Sequence, residues 1–384
     1  MARWVLGAVV VALLVAGGVF LRVRGGDGDI IVGRPEPSTQ QALAGPTVVL
    51  PASPTTEPRR LQAARSAGGA VRMPVMRWPD ASPYGQAVAF ESDVPVPEGL
   101  LFVLVVGSDA RPGERVDRAR ADSIHLLALN PRTGTGTVLG IPRDTWVEIP
   151  GRGHGKINTA LSLGGMDLLS ATMQRLTGLP VDYWVVTGFE GFEACVNALG
   201  GVVVPVERRM ADRASGAFFE PGWHQMSGRD ALAFTRDRKD VPGGDFGRSK
   251  HQGVVMLSAL AKMRVEVGDM AGIRGWVNLL WSHVRLRTGF DEAIELAAIA
   301  RRVDPRSVAN VVAPGRPGQA GNQSVVYLTA DAAAMFDDLR ADATIGGTPP
   351  PSATTTTNPT TSSTTTTSTT TTTTPKAIPS VPSG

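Results

Sequence analysis

"LLFVLVVGSDARPGERVDRARADSIHLLALN" spans Leu100–Asn130 and places a charged stretch between two apolar runs. Each apolar run has the length of a buried strand. The stretch between them, Gly107–Ser123, holds four arginines and four carboxylates. Unlike charge at the end of a core strand has two explanations: a solvated loop of cancelling charges, or a site for a metal ion and a polyanion. The rest of the chain has to decide between them.

Further apolar runs of strand length alternate with segments of helical periodicity. "VDYWVVTG" is a predicted strand, whereas "NTALSLGGMDLLSATMQRLTG" and "GRSKHQGVVMLSALAKMRVEV" are predicted helices. This alternation predicts an α/β or α+β fold, in which a central mixed β-sheet is covered by helices on both faces. The single cysteine, Cys195, lies among apolar residues at helical spacing. We therefore expect it to be a small core residue and not a catalytic thiol.

The flanks of this segment have a different composition and predict a four-part chain. Residues 1–24 contain the uncharged run Trp4–Phe20, which is interpreted as a transmembrane signal anchor; a cleaved signal peptide is the rival. Residues 25–97, rich in Pro, Ala, Ser and Thr, are predicted to be a spacer. Residues 98–340 are predicted to form one folded domain, and residues 341–384 a disordered Thr/Ser/Pro-rich tail. This layout predicts a single-pass cell-membrane protein with an extracytoplasmic domain.

The composition excludes one class of partner and leaves others open. The formal net charge is only +3, and no platform of aromatic residues is interleaved with the basic clusters, so nucleic acid is not an expected ligand. The oligomeric state is left open.

Three more charged clusters lie at the ends of predicted elements. Arg143 follows a strand and Lys156 precedes a helix; the other residues are Arg236 and Arg238 in one segment and Asp245, Arg248 and Gln252 in another. Each cluster alone is explained by solvated surface charge. Together they favour a ligand site, because strand ends and helix starts carry ligand contacts in sheet-based folds. Arginines from several segments repel one another unless an anion such as a pyrophosphate holds them.

Six blocks in order, "GSDAR", "RADS", "IPRDTWVEIPG…GKINTAL", "LPVDYWVVTGFEGF", "PGWHQMSGRDALAFTRDR" and "DFGRSKHQ", resemble the LytR-CpsA-Psr family over about residues 100–265. The resemblance implies a membrane-anchored phosphotransferase. Such an enzyme moves a glycopolymer from a polyprenyl-pyrophosphate carrier onto peptidoglycan or another wall sugar. A pyrophosphate hydrolase with the same site, and a non-catalytic wall-binding or regulatory protein, remain alternatives.

The resemblance also assigns roles to residues. Asp109 and Asp122 match carboxylates that hold Mg²⁺ or Mn²⁺, and together with Arg143 they form the expected catalytic set. The general base stays open between the two aspartates. The residues expected at the pyrophosphate are Arg111, Arg120, Arg143, Lys156, Arg236, Arg238, Asp245, Arg248 and Gln252. Within the charged loop, the bracketing residues Asp109, Arg111, Arg120 and Asp122 are expected to converge, and Glu114, Arg115, Asp117 and Arg118 to be solvated.

The sequence departs from the family pattern on the helix that follows "DFGRS". His251 stands where the family has an arginine, and Gly253 where it has a second glutamine; Lys250 is a possible compensation. The lipid half of the substrate needs an apolar pocket. Candidate linings are "DLLSATMQRL", "WVVTGFEGF" and "VVMLSALAKM".

Overall fold

The computed structural model describes residues 69–346 of the chain. Its centre is a seven-stranded mixed sheet in the order β1-β13-β4-β3-β2-β7-β12. β2 and β3 are antiparallel, whereas β2 pairs in parallel with β7, and β4 with β13. The strands of this sheet are β1 Met76–Arg77, β2 Leu101–Ser108, β3 Ala121–Asn130, β4 Thr135–Gly140, β7 Tyr183–Thr187, β12 Arg285–Leu286 and β13 Val308–Val312.

Helices cover both faces of the sheet, as the sequence predicts. α1 (Thr159–Thr177) and α7 (Ala330–Asp342) pack against one face. Five helices pack against the other: α2 Phe189–Ala198, α3 Gly228–Arg236, α4 Asp245–Glu266, α5 Met270–Trp281 and α6 Phe290–Arg302. Alternate residues of β2 point to opposite faces, so Val103 and Val105 join the second core while Leu104 and Val106 join the first.

The helix ends follow from local sequence. Ser227 caps α3, because its hydroxyl accepts a hydrogen bond from the backbone N–H of Asp230. The Asp230 carboxylate in turn accepts from the backbone N–H of Ser227. Gly178 ends α1 with φ 67°, a left-handed conformation that glycine adopts without strain. Cys195 is fully buried in α2, and burial raises the pKa of its thiol to about 12, so the predicted core role is confirmed.

Within residues 69–346, four further pairs of strands lie outside the main sheet. Each is an antiparallel two-stranded pair. Their strands are β5 Trp146–Ile149 with β6 Gly153–Lys156, β8 Val202–Val206 with β11 Gly222–Met226, β9 Met210–Asp212 with β10 Ala217–Phe219, and β14 Gly315–Ala320 with β15 Gln323–Leu328. A short 3₁₀ turn, Pro305–Ser307, precedes β13.

The folded part is longer than the predicted 98–340. Residues 69–97, expected in the spacer, pack on the domain: β1 joins the sheet edge and Trp78 is buried. Arg301 and Arg302 fix this segment by donating hydrogen bonds to the backbone carbonyls of Val88 and Val94. At the other end α7 continues to Asp342, and Ala343 is buried. Side chains of α6 thus satisfy backbone carbonyls of a segment that has little regular secondary structure of its own.

No helix within residues 69–346 is long and apolar enough to cross a membrane. The predicted anchor, the first part of the predicted spacer and nearly all of the predicted tail lie outside the described residues.

Candidate active site

The charged residues converge at the ends of β2, β3 and β4. β3 carries a bulge here: Gly107 pairs with Ser123 and Ser108 with Ala121, so Asp122 is the extra residue. A bulge re-aims the side chain of its unpaired residue. The Asp122 carboxylate accepts from Nη1 of Arg143, which follows β4.

Asp245, the first residue of α4, is the second anionic centre of the cluster. Its oxygens lie 2.9 Å from Nε of Arg238, 3.5 Å from Nη2 of Arg248 and 3.7 Å from Nε of Arg143. Arg248 reaches β3 as well, because its Nη2 donates to the backbone carbonyl of Asp122 at 3.2 Å. Three arginines from three segments are therefore held together by two carboxylates.

Lys156 joins this network through Asp144, with its Nζ 3.0 Å from the Asp144 carboxylate, which itself lies 3.9 Å from Nε of Arg143. Asp144 is a partner that the predicted residue set omitted, although it follows Arg143 directly in the sequence.

Several charged atoms of the cluster are buried and make no hydrogen bond. They are Nε of Arg143, Nε of Arg248 and both carboxylate oxygens of Asp245. The charges are in contact but their donors and acceptors are not aligned. Buried polar groups without partners are costly, and a water, an ion or a ligand that bonds to them removes this cost. The pKa values also reflect the burial: it lowers the pKa of Arg248, whereas Asp122 and Asp245 outweigh it at Arg143 and raise the pKa there.

Two cavities meet at this cluster. The first is an apolar cleft between the sheet, α2, α3 and α4. The second is a more open pocket lined mainly by charged residues. Both are lined by Asp122, Arg236 and Arg248, so one surface runs continuously from apolar to cationic. The hairpin β9–β10 and the loop after α3 complete the polar pocket with Asp212, Ala214, Ser215, Arg238 and Lys239.

The apolar cleft matches two of the three predicted linings. Phe189 and Phe192 come from "WVVTGFEGF", and Val255, Met256 and Ala259 from "VVMLSALAKM". "DLLSATMQRL" does not line it, because this segment belongs to α1 on the opposite face of the sheet. Gln252 lines the cleft beside Arg248, as their shared helix face predicts.

The charged loop behaves only in part as predicted. Asp109 closes its base by accepting from the Arg120 backbone N–H at 2.8 Å. Arg111 is exposed, and its backbone N–H donates to the Glu114 carboxylate within the loop. Its side chain makes no ion pair with the cluster around Asp122 and Asp245 in the described part of the chain. Arg115 pairs with Asp117 in the loop. The two ends of the loop thus meet, but its arginines point to solvent.

The departures on α4 lie away from the cluster. Lys250 pairs with Glu207 at 2.8 Å, so it does not replace the missing arginine. His251 stacks on Phe234 with ring centroids 4.3 Å apart. Gly253 meets Asn310: a Cβ there would lie 2.1 Å from the Asn310 Oδ1.

One hydrogen-bonded group next to the site was missed by sequence reasoning. Ser123 Oγ lies 3.1 Å from Nδ1 of His125, and Nε2 of His125 lies 3.0 Å from the backbone carbonyl of Ser249 on α4. A carbonyl only accepts, so Nε2 carries the hydrogen and Nδ1 accepts from Ser123. His125 is fully buried, and burial lowers its pKa to about 4. The group ties β3 to α4 beside Asp122; a lone histidine in an apolar strand gave no signal of it.

A divalent ion fits this site only together with a phosphate group. Within residues 69–346 no three His, Cys, Asp or Glu side chains converge to hold a metal. Asp109 directly follows β2 and Asp122 lies near the start of the neighbouring strand β3; one Asp109 oxygen accepts from the Arg120 N–H. Mg²⁺ is commonly held by one or two carboxylates plus substrate phosphates and waters. The donor set suits such a shared ion and not a preformed protein cage.

The family model described as the LytR_cpsA_psr family matches residues 86–341. The chain belongs to this family. The LytR_cpsA_psr match spans the main sheet from β2 onwards, all the residues of the cluster and the lining of both cavities.

Relatives of the chain include proteins named polyisoprenyl-teichoic acid–peptidoglycan teichoic acid transferase TagU. The one from Bacillus mycoides is 40% identical over 161 residues, which cover 42% of this chain and 51% of the relative. The one from Bacillus subtilis is 37% identical over 174 residues, covering 44% and 55%. The chain thus spans about half the length of these relatives.

Solved structures of the same fold include B. subtilis TagV, with a TM-score of 0.56, 25% identity and coverage of 64% of this chain and 98% of that one. TagT bound to LI-WTA gives a TM-score of 0.53 at 25% identity, covering 67% and 96%.

Proposed function

We propose that the chain transfers a glycopolymer from a polyprenyl-pyrophosphate carrier onto peptidoglycan or another wall sugar. The observation that carries the proposal is the junction of the apolar cleft with the cationic pocket at Asp122, Arg236 and Arg248. A ligand that fills both is an amphiphile with a hydrocarbon tail and an anionic head. The TagU relatives are named for a polyisoprenyl-linked donor and a peptidoglycan acceptor, which supports the same substrate class.

The head is a pyrophosphate because of the charge balance. Five basic side chains face three carboxylates, so positive charge is in excess; the bases are Arg143, Lys156, Arg236, Arg238 and Arg248, and the acids Asp122, Asp144 and Asp245. Guanidinium groups bind phosphate oxygens through two parallel hydrogen bonds. The buried, unaligned Nε atoms of Arg143 and Arg248 are donors that such a head can engage.

In the proposed reaction a hydroxyl oxygen of the acceptor attacks the phosphorus that carries the glycan. The bond from this phosphorus to the bridging oxygen breaks, and polyprenyl phosphate leaves with the bonding electrons. The hydroxyl proton passes to a base. Asp109 and Asp122 are the two candidates for this base; one Asp109 oxygen accepts from the Arg120 N–H, and the Asp122 carboxylate accepts from Arg143. The arginines neutralise the charge that spreads over the phosphate oxygens.

Asp109 and Asp122 would hold a Mg²⁺ or Mn²⁺ ion in this proposal. Such an ion would supply positive charge to neutralise the phosphate oxygens. The polar pocket beyond the cluster suits the glycan, since Asp212, Ser215 and Lys239 offer hydrogen-bonding groups on its walls. The apolar run Trp4–Phe20 would anchor the chain with this site on the extracytoplasmic side, where carrier and wall meet.

The test uses the full chain in detergent, a polyprenyl-pyrophosphate-linked glycan with a labelled sugar, and purified peptidoglycan. Label should move to peptidoglycan and polyprenyl monophosphate should form only when the acceptor is present. Equal release of polyprenyl monophosphate without acceptor would identify a hydrolase. Binding of the donor without release of either product would identify a regulatory or wall-binding protein.

A further inference from the structure

Arg236 stands at the boundary between the two cavities, and an aromatic ring lies against it. Arg236 is the last residue of α3 and lines both the apolar cleft and the cationic pocket. Its Cζ atom lies 5.1 Å from the ring centroid of Phe189, the first residue of α2. A guanidinium at this distance from a ring face is attracted by the negative potential of the π system.

Among the residues that the structure describes, the Phe189 ring is the partner of this guanidinium. Across residues 69–346 no ion pair and no side-chain hydrogen bond engages Arg236. The other arginines of the cluster are different: Arg143, Arg238 and Arg248 contact carboxylates. A carboxylate orients an arginine but competes with an incoming phosphate for the same N–H groups. A ring face orients it through the plane of the guanidinium and leaves the N–H edge free.

We propose that Phe189 is a positioning residue, which holds Arg236 towards the pyrophosphate head at the mouth of the lipid cleft. The inference rests on the proposed function, since it assumes a lipid pyrophosphate as the ligand. The inference gives Phe189 two roles. Its side chain lines the apolar cleft for the lipid, and it also affects binding of the head group because it orients Arg236.

Phe192 is a matched control within the same helix. It lies three residues from Phe189, is also half-buried and lines the same cleft. It packs against the buried core of that face, and the cation–π contact of Arg236 within residues 69–346 is with Phe189 and not with Phe192. Replacing either phenylalanine with leucine keeps an apolar lining, but only Phe189→Leu removes the ring face under the guanidinium.

The experiment measures the affinity of the full chain, in detergent micelles, for farnesyl pyrophosphate and for farnesol. Wild type, Phe189→Leu, Phe192→Leu, Phe189→Tyr, Arg236→Ala and the double variant Phe189→Leu/Arg236→Ala are compared. The affinity of each variant is divided by that of wild type for the same ligand, so the partitioning of the ligand into micelles cancels. Phe189→Leu should lower pyrophosphate affinity about threefold to thirtyfold and leave farnesol affinity within twofold. Phe189→Tyr should restore binding.

Phe192→Leu should change both affinities by the same factor. In the double variant, Phe189→Leu should cost no further pyrophosphate affinity once Arg236 is alanine. Equal losses for the two leucine variants, or additive losses in the double variant, would overturn the role of Phe189. If wild type bound farnesyl pyrophosphate no better than farnesol, the proposed function itself would fail; that outcome is distinct from the first two.

Discussion

Asp245 occupies the position of an anion among three arginines, and Asp245→Asn tests whether the cluster is built for one. The substitution keeps the shape and removes the charge. Arg143, Arg238 and Arg248 then keep only Asp122 and, at Arg143, Asp144 as neighbouring carboxylates within the described residues. The side chain of Asp245 is 12% exposed, so the pairs with Arg143 and Arg248 are poorly screened, whereas Arg238 is 49% exposed and counts for less.

Removing one partner of a buried ion pair costs about 3–5 kcal/mol, because the other charge is left uncompensated. For a domain of this size the loss corresponds to a fall in Tm of roughly 10 °C. The effect of a ligand is the more specific prediction. Inorganic pyrophosphate should raise the Tm of Asp245→Asn by more than it raises the Tm of wild type. The variant offers the anion one additional unpaired positive charge.

Thermal unfolding with and without inorganic pyrophosphate, at low salt, measures both effects. Asp304→Asn is the control: Asp304 pairs with Arg306 at 2.6 Å and with Arg264 at 3.8 Å, and none of these groups contacts the cluster. That variant should lose stability without any additional gain from pyrophosphate. Equal gains for Asp245→Asn and wild type would refute the view that this carboxylate holds the place of a phosphate.

Four further outcomes are expected. Arg143→Ala should lower transfer more than tenfold, about 1.4 kcal/mol or more in activation free energy, with secondary structure unchanged by circular dichroism. EDTA should abolish transfer and Mg²⁺ should restore it; a chelator-resistant rate would exclude a metal-dependent reaction. Burial lowers the pKa values of His125 and His251 to about 4. The unfolded chain binds these protons near pH 6.5 and the folded chain does not, so the free energy of unfolding should fall as the pH drops from 6.5 to 4 and level off below. Each histidine contributes about 3 kcal/mol to this fall. His251→Gln should therefore make the free energy of unfolding, measured by denaturant titration at each pH, less dependent on pH. Gly228→Ala should lower pyrophosphate affinity as well as stability, since its Cβ would lie 2.2 Å from the Glu193 backbone carbonyl and would separate α3 from α2; an unchanged affinity would show that this spacing does not matter.

The sequence predicts most of the cluster because its residues sit at element ends. Arg143 follows an apolar strand and Asp245 opens an amphipathic helix, and both positions are visible in the pattern of apolar residues. Once the sheet forms, the carboxyl end of β4 and the start of α4 lie at one edge, so their charges meet. Local patterning is sufficient here because each position is fixed by the element on which it lies.

Other parts of the site depend on pairings that no local pattern encodes. The orientation of Asp122 follows from a bulge, which exists only in the register between β2 and β3. Asp212 comes from the hairpin β9–β10, whose strands are three residues long and carry little apolar periodicity. The alternation of apolar residues also fails to say which sheet face a helix covers, which is why a segment of α1 was wrongly expected at the lipid cleft.

The departures on α4 show how the site accommodates a change in one element. A helix turns by about 100° per residue, so Asp245, Arg248 and Gln252 lie on one face, whereas His251 and Gly253 lie to either side of it. The outer positions serve packing here, since His251 stacks on Phe234 and Gly253 allows close contact with Asn310. The charge that meets the anion comes from β4, from the end of α3 and from one face of α4. A lost arginine beside that face leaves these sources in place, and the ring of Phe189 keeps Arg236 at the point where head and tail of the ligand would join.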